Sequence, residues 1–240
     1  GLSRRGVETM RIKEIAGCLM FACACACAGT ASAADLSSLT DADASAGLKK
    51  ALDQGIGRAV DKLGVTDGFL KNPAVKIPLP PTLEKAEGVM RMLGAGEQAD
   101  QLVVAMNRAA EAAVPESKVL LKEALHQMTW QDAKQILTGG DDSATRYFKR
   151  VTYAPLQVKF APIIARATAR VKLAETYDAV AKKAVELGVL KPEDASLESY
   201  VTDKTLDGLF YMMAEEERAI RKDPLGQASN LLKRVFGALR

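Results

Sequence analysis

Residues 197–222 read LESYVTDKTLDGLFYMMAEEERAIRK. Leu206, Leu209, Phe210 and Met213 recur at i, i+3, i+4 and i+7, which places them on one stripe of a helix. Glu215 with Arg218 and Glu217 with Arg221 are spaced to pair along the same helix. The stretch is therefore expected to be one long helix, with an apolar face that needs other elements to cover it. Asp203 and Asp207 are a like-charged pair four residues apart. Facing inward, they would call for a cation or a buried arginine; facing outward, they need no explanation.

Working outward, the same periodicity recurs. Leu48, Ala51, Leu52, Gly55, Ile56, Ala59, Val60 and Leu63 keep helical spacing after a capping-box start at Thr40 and Asp43, and Gly64 is expected to close that helix. Helical pattern runs from Thr82 to Leu93, then from Glu97 to Val114. Pro115 is expected in the first turn of a further helix ending near Gln127. Thr129 and Asp132 form a second capping box, opening a short helix to Leu137. Gly139-Gly140 breaks the chain, and Asp141 or Asp142 is expected to cap a helix through Tyr147 and Phe148. Residues 155–187 read as helix, interrupted or bent near Pro162. Lys191 to Asp194 is a turn, Asp223-Pro224 stops the long helix, and Leu231 to Phe236 gives a last amphipathic turn or two.

One stretch breaks the rhythm. Pro73, Pro78, Pro80 and Pro81 fall within nine residues, which forbids a helix and disfavours a central strand. An extended connection packed along the helices is expected there, rather than an exposed P-x-x-P ligand. No alternating strand or hairpin signal occurs elsewhere. Aromatic residues are only 5% of the chain, while Ala, Leu, Lys and Glu are plentiful, a balance that favours helix. The fold class is all-α: a single domain of about eight or nine helices, several short, over residues 34–240.

Residues 1–33 read differently. Met10, where translation is expected to start, is followed by Arg11 and Lys13, then by an uncharged stretch from Ile15 to Ala28, then by Ala31-Ser32-Ala33. This is the pattern of a cleaved signal peptide, and its apolar run is shorter than the roughly 20 residues of a membrane span. The mature chain is expected in the periplasm, with no transmembrane span. Cys18, Cys23, Cys25 and Cys27 all lie in this segment. Cleavage removes them, which excludes disulfides, thiol catalysis and thiolate zinc sites. Lipidation at one of them, giving an outer-membrane lipoprotein, is the alternative. Ser3-Arg4-Arg5 is a weak twin-arginine hint that a start at Met10 removes. The remaining chain holds 29 basic and 28 acidic residues, which gives nucleic-acid binding little electrostatic support.

Several blocks resemble a known family. Asn72-Pro73-Ala74-Val75-Lys76-Ile77-Pro78-Leu79-Pro80 resembles its hallmark loop. Met128 to Ala133 with Ile136-Leu137, Ala144 to Phe148, and Tyr200 to Arg221 match in the same order. The family is catalogued as domain of unknown function 4197. The resemblance covers roughly residues 35–239 and implies a helical protein exported in Gram-negative bacteria, with no catalytic residues to carry over.

Site chemistry is sparse. His126 is the only histidine. With Glu123 it spells Glu-x-x-His, but a di-iron bundle needs a second such pair, so a structural or surface histidine is expected. Asp41 to Ser45 opens like a calcium loop, yet Ala46 and Leu52 stand where glycine and glutamate are needed. Gly139 to Asp142 lacks the Lys-Ser/Thr of a phosphate loop. Met90, Met92, Met106, Met128, Met212 and Met213 are expected to fill the core, or else to line an adaptable apolar cavity. No cofactor or metal is expected. The preferred reading is a non-catalytic binding or interaction module taking an apolar ligand or an envelope protein. The rival is a carboxylate-based, metal-dependent or hydrolytic enzyme using Asp203, Asp207, Glu215, Glu216 or Glu217.

Overall fold

The computed structural model describes residues 41–188 and 196–222. The signal segment, Thr40, the turn at 191–194 and the expected features after residue 222 lie outside the described residues. Among the described residues are eight α-helices: α1 Asp41–Leu63, α2 Pro81–Met92, α3 Gly96–Ala113, α4 Ser117–Gln127, α5 Trp130–Thr138, α6 Ser143–Thr168, α7 Lys172–Glu186 and α8 Leu197–Lys222. The count is at the low end of the expectation. No strand is present among them.

The core follows the predicted stripes. Leu48, Ile56, Val60 and Leu63 of α1 are buried, as are Leu206, Leu209, Phe210 and Met213 of α8. They share one apolar interior with Leu102 and Met106 of α3, Leu121 of α4, and Phe148, Leu156 and Phe160 of α6. α6 and α8 are the most extensively packed pair, with α1 and α3 against them. Met106, Met128 and Met213 fill the core, Met90 and Met212 flank it, and Met92 stands 88% exposed.

Three local expectations change. α6 is expected to end near Phe148 and helix to resume at Pro155; it instead runs unbroken through Pro155 and Pro162. Each proline removes a donor to the carbonyl four residues back. Those carbonyls belong to Val151 and Val158, both exposed, and both prolines lie on the same solvent face, where water can meet the lost bonds. Asp142 holds the N-cap position of α6 but makes no side-chain cap. Pro115 lies in a short 3₁₀ turn, Val114–Glu116, that leads into α4.

The proline stretch is extended from Lys76 to Pro80 and packs as expected. Val75, Ile77 and Leu79 are buried while Lys76 and Pro78 are exposed, a period of two without a partner strand. Its backbone is satisfied by side chains instead. Asn107 accepts from the Ile77 N–H at 2.9 Å and donates to the Ile77 carbonyl at 2.9 Å. One turn further along α3, Glu111 accepts from the N–H groups of Phe69 and Leu70. Arg108 bridges Glu111 and Asp67. Tyr200 of α8 donates to the Pro78 carbonyl. At Gly208 a side chain would meet the Phe69 ring at 2.7 Å, so α8 and this strap touch where only hydrogen fits.

Candidate functional site

α8 turns by about 100° per residue, and its consecutive acids therefore face different neighbours. Glu215 is exposed and pairs with Arg218, as the spacing predicts. Glu216 is buried against α1, where Arg58 Nε and Lys62 Nζ each reach it at 2.6 Å. Burial pushes its pKa up, but the hydrogen bonds from Arg58 and Lys62 outweigh that and hold it below the usual carboxylate range. Glu217 is also buried. It accepts from the N–H groups of Ala144 and Thr145 and from the Thr145 hydroxyl, all at 2.9 Å. It thus caps α6 from another helix, and it pairs with Arg221 as expected. The Arg221 guanidinium also donates to the Ile136 carbonyl and to Ser143 Oγ. The three glutamates are not brought together.

Asp203 and Asp207 are brought together, on one wall of a groove of about 500 Å³. Its other walls are Pro78 and Leu79 of the strap, Glu84 in the first turn of α2, Tyr177 of α7 and Tyr200 of α8. Asp203 is half-buried. Its Oδ1 accepts from the Tyr153 hydroxyl at 3.1 Å and from Gln157 Nε2 at 2.8 Å, while its Oδ2 takes no hydrogen bond from the described residues. Asp207 is exposed, with Lys149 Nζ at 3.8 Å. Among the described residues Lys204 is the one cation lining the groove, against Glu84, Asp203 and Asp207.

Burial pushes the Tyr200 hydroxyl up to about 12, with the Glu84 and Tyr177 charges adding to it. Burial likewise pushes Tyr153 up to about 12, aided by Asp203. Both phenols therefore stay protonated and act as donors. Thr202, next to Asp203, is buried, and its Oγ1 has no hydrogen-bond partner among the described residues.

A second groove, of about 390 Å³, lies between α2 and α3. It shares Pro78, Leu79 and Glu84 with the first. Among the described residues no three His, Cys, Asp or Glu side chains are grouped to hold a metal ion. His126 and Glu123 are both exposed on α4. No described helix is long and apolar enough to cross a membrane.

The family model of a protein of unknown function, DUF4197, matches residues 38–237. The chain belongs to the DUF4197 family. No curated protein and no solved structure matches it. In this DUF4197 chain the hallmark block is the strap itself. The 128–137 block is α5 with its capping box, made by Thr129 and Asp132 as predicted. The 144–148 block is the N-terminus of α6, and the 200–221 block is the helix that caps it. Three of the four blocks thus meet around α8: the strap through Tyr200, the α6 start through Glu217, and α5 through Arg221.

Asn107 and Glu111, which fix the strap, are not singled out by sequence reading. A buried Asn and Glu four apart on an otherwise apolar helix face is the signal that would find them.

Proposed function

We propose that this DUF4197 protein is an exported, periplasmic, non-catalytic binding module, and that the groove walled by Tyr177, Tyr200 and Asp203 takes a ligand joining a cationic group to an apolar body. Asp203 carries the reading. Tyr153 and Gln157 hold one of its oxygens in place and leave the other without a partner, in a groove whose lining carries more acid than base. Fixing a carboxylate in advance lowers the ordering cost of binding a cation. The groove's volume lies in the range of small-molecule sites, and tyrosine faces suit both an apolar body and a cation.

The enzyme reading has less support. Glu216 and Glu217 are occupied in pairs that join helices, and Glu215 faces solvent, so of the five candidate acids Asp203 and Asp207 alone share this groove.

Native mass spectrometry of the protein purified from its own periplasm, with organic extraction, tests the proposal. A stoichiometric amine- or guanidine-bearing ligand, lost in Asp203→Asn, is the expected result. A bare wild-type protein that also shows no calorimetric binding of phenethylammonium would sink it. The same spectra test export: the expected mass corresponds to cleavage near Ala33, whereas a retained, acylated cysteine would assign the protein to the outer membrane.

A further inference from the structure

α2 is built unlike the other described helices. None of its side chains is buried, whereas each of the other seven places side chains in the core. Leu83 and Met90 are only partly covered, and Val89, Met92 and Leu93 are exposed. It lies chiefly against α3, with the smaller groove between them and the larger groove along its first turn. α2 therefore borders both cavities, which share Pro78, Leu79 and Glu84.

One end of α2 is stiff and the other permissive. At the N-terminal end Pro80 is extended and Pro81 starts the helix, with no side-chain cap. At the C-terminal end Gly94 takes a left-handed φ of 78°, with open space where a side chain would be. The Gly94 and Ala95 N–H groups bond back to Arg91 and Met90, which finishes α2 as its own unit before α3 begins. Between the ends one latch holds it: Arg91 pairs with Glu87 on α2 and reaches across to Asp100 on α3 at 2.8 Å. Such exposed pairs are screened and weak, and the apolar side chains of α2 that back this one, Leu83 and Met90, are only partly buried.

We propose that α2 is a hinged lid: when the Arg91–Asp100 pair parts, α2 swings about Pro80-Pro81 and Gly94 and joins the two grooves into one cleft. The inference rests on the groove being the ligand site, and it adds the route by which a ligand enters. Opening leaves the strap held from α3 by Asn107 and Glu111 and uncovers only the partly buried Leu83 and Met90 at the edge of the core.

Distances between nitroxide labels test it, in the full chain with Cys18, Cys23, Cys25 and Cys27 changed to Ser. One label pair is Val89→Cys on α2 with Val158→Cys on α6; the control pair is Val119→Cys on α4 with Val158→Cys. All three sites are exposed. The α2 pair is expected to give a distribution about twice as wide as the control, or two populations, as a two-state hinge requires. Arg91→Ala should shift it further toward the open distance, and phenethylammonium should narrow it. An α2 distribution as narrow as the control and unmoved by Arg91→Ala would overturn the lid, even if calorimetry shows phenethylammonium binding. A broad distribution that Arg91→Ala shifts, with no phenethylammonium binding, would uphold the lid and defeat the cationic-ligand reading instead.

Discussion

The strap at 64–80 and α2 are neighbours in sequence and opposites in construction. The strap has no regular hydrogen-bonding pattern, yet Phe69, Val75, Ile77 and Leu79 are buried and its backbone is held by Asn107, Glu111 and Tyr200. α2 has every internal hydrogen bond of a helix and not one buried side chain. Regular secondary structure and fixed position are therefore separate properties. The first comes from local bonds. The second comes from what the tertiary structure buries and satisfies.

Four measurements would break or sharpen that contrast. Glu111→Ala leaves the Phe69 and Leu70 N–H groups without an acceptor and Arg108 without its inner partner. A loss of about 3 kcal/mol in denaturant-measured stability is expected. A loss below about 0.5 kcal/mol would mean the strap is not held this way. Gly208→Ala pushes a methyl into Phe69 and should cost about 2 kcal/mol by overpacking, unless the strap can shift.

Acid gives the third test. The folded pKa of Glu216 is lowered, so its contribution is fully present above the ordinary glutamate range and is lost as pH falls through the lowered value. Glu216→Gln should therefore flatten the acid limb of the stability–pH curve while leaving its neutral region lower. Asp100 is also lowered, by its hydrogen bond from Arg91, but it only latches α2. Asp100→Asn should leave the global curve unchanged, and a changed acid limb would show that α2 is coupled to the core. The fourth test, Gly88→Ala, is also expected to act only within α2. Nothing lies within 4 Å of the added methyl, so the substitution should raise the helicity of α2 and alter global stability by less than about 0.5 kcal/mol in thermal unfolding.

What the sequence conveys and what it hides divides along the same line. The bounds of α8, the capping box of α5 and the extended prolines were legible because each depends on residues within a few positions of one another. The continuity of α6 was not. Whether Pro155 and Pro162 break a helix depends on which face meets solvent, and that is set by α3 and α8 packing on the other side. The cap of α6 was invisible for a related reason: Asp142 has the right type and position, but Glu217, more than seventy residues away, takes the amides. The candidate site was half legible. Asp203 and Asp207 do share a groove, but Tyr177 and Glu84, which complete it, come from α7 and α2, and no spacing rule links those segments.

The Glu217 cap also governs timing. α6 needs a carboxylate that the chain supplies only in its eighth helix, and α1 packs on that same helix through Glu216. A nascent polypeptide that has emerged as far as α7 has its helices but lacks the element that joins the first to the sixth. The last step of folding is therefore expected to wait for α8, because α1 and the start of α6 both take long-range partners from it. A chain ending before α8 is expected to keep its α1, α3, α4 and α6 contacts but to lack both of these long-range partners.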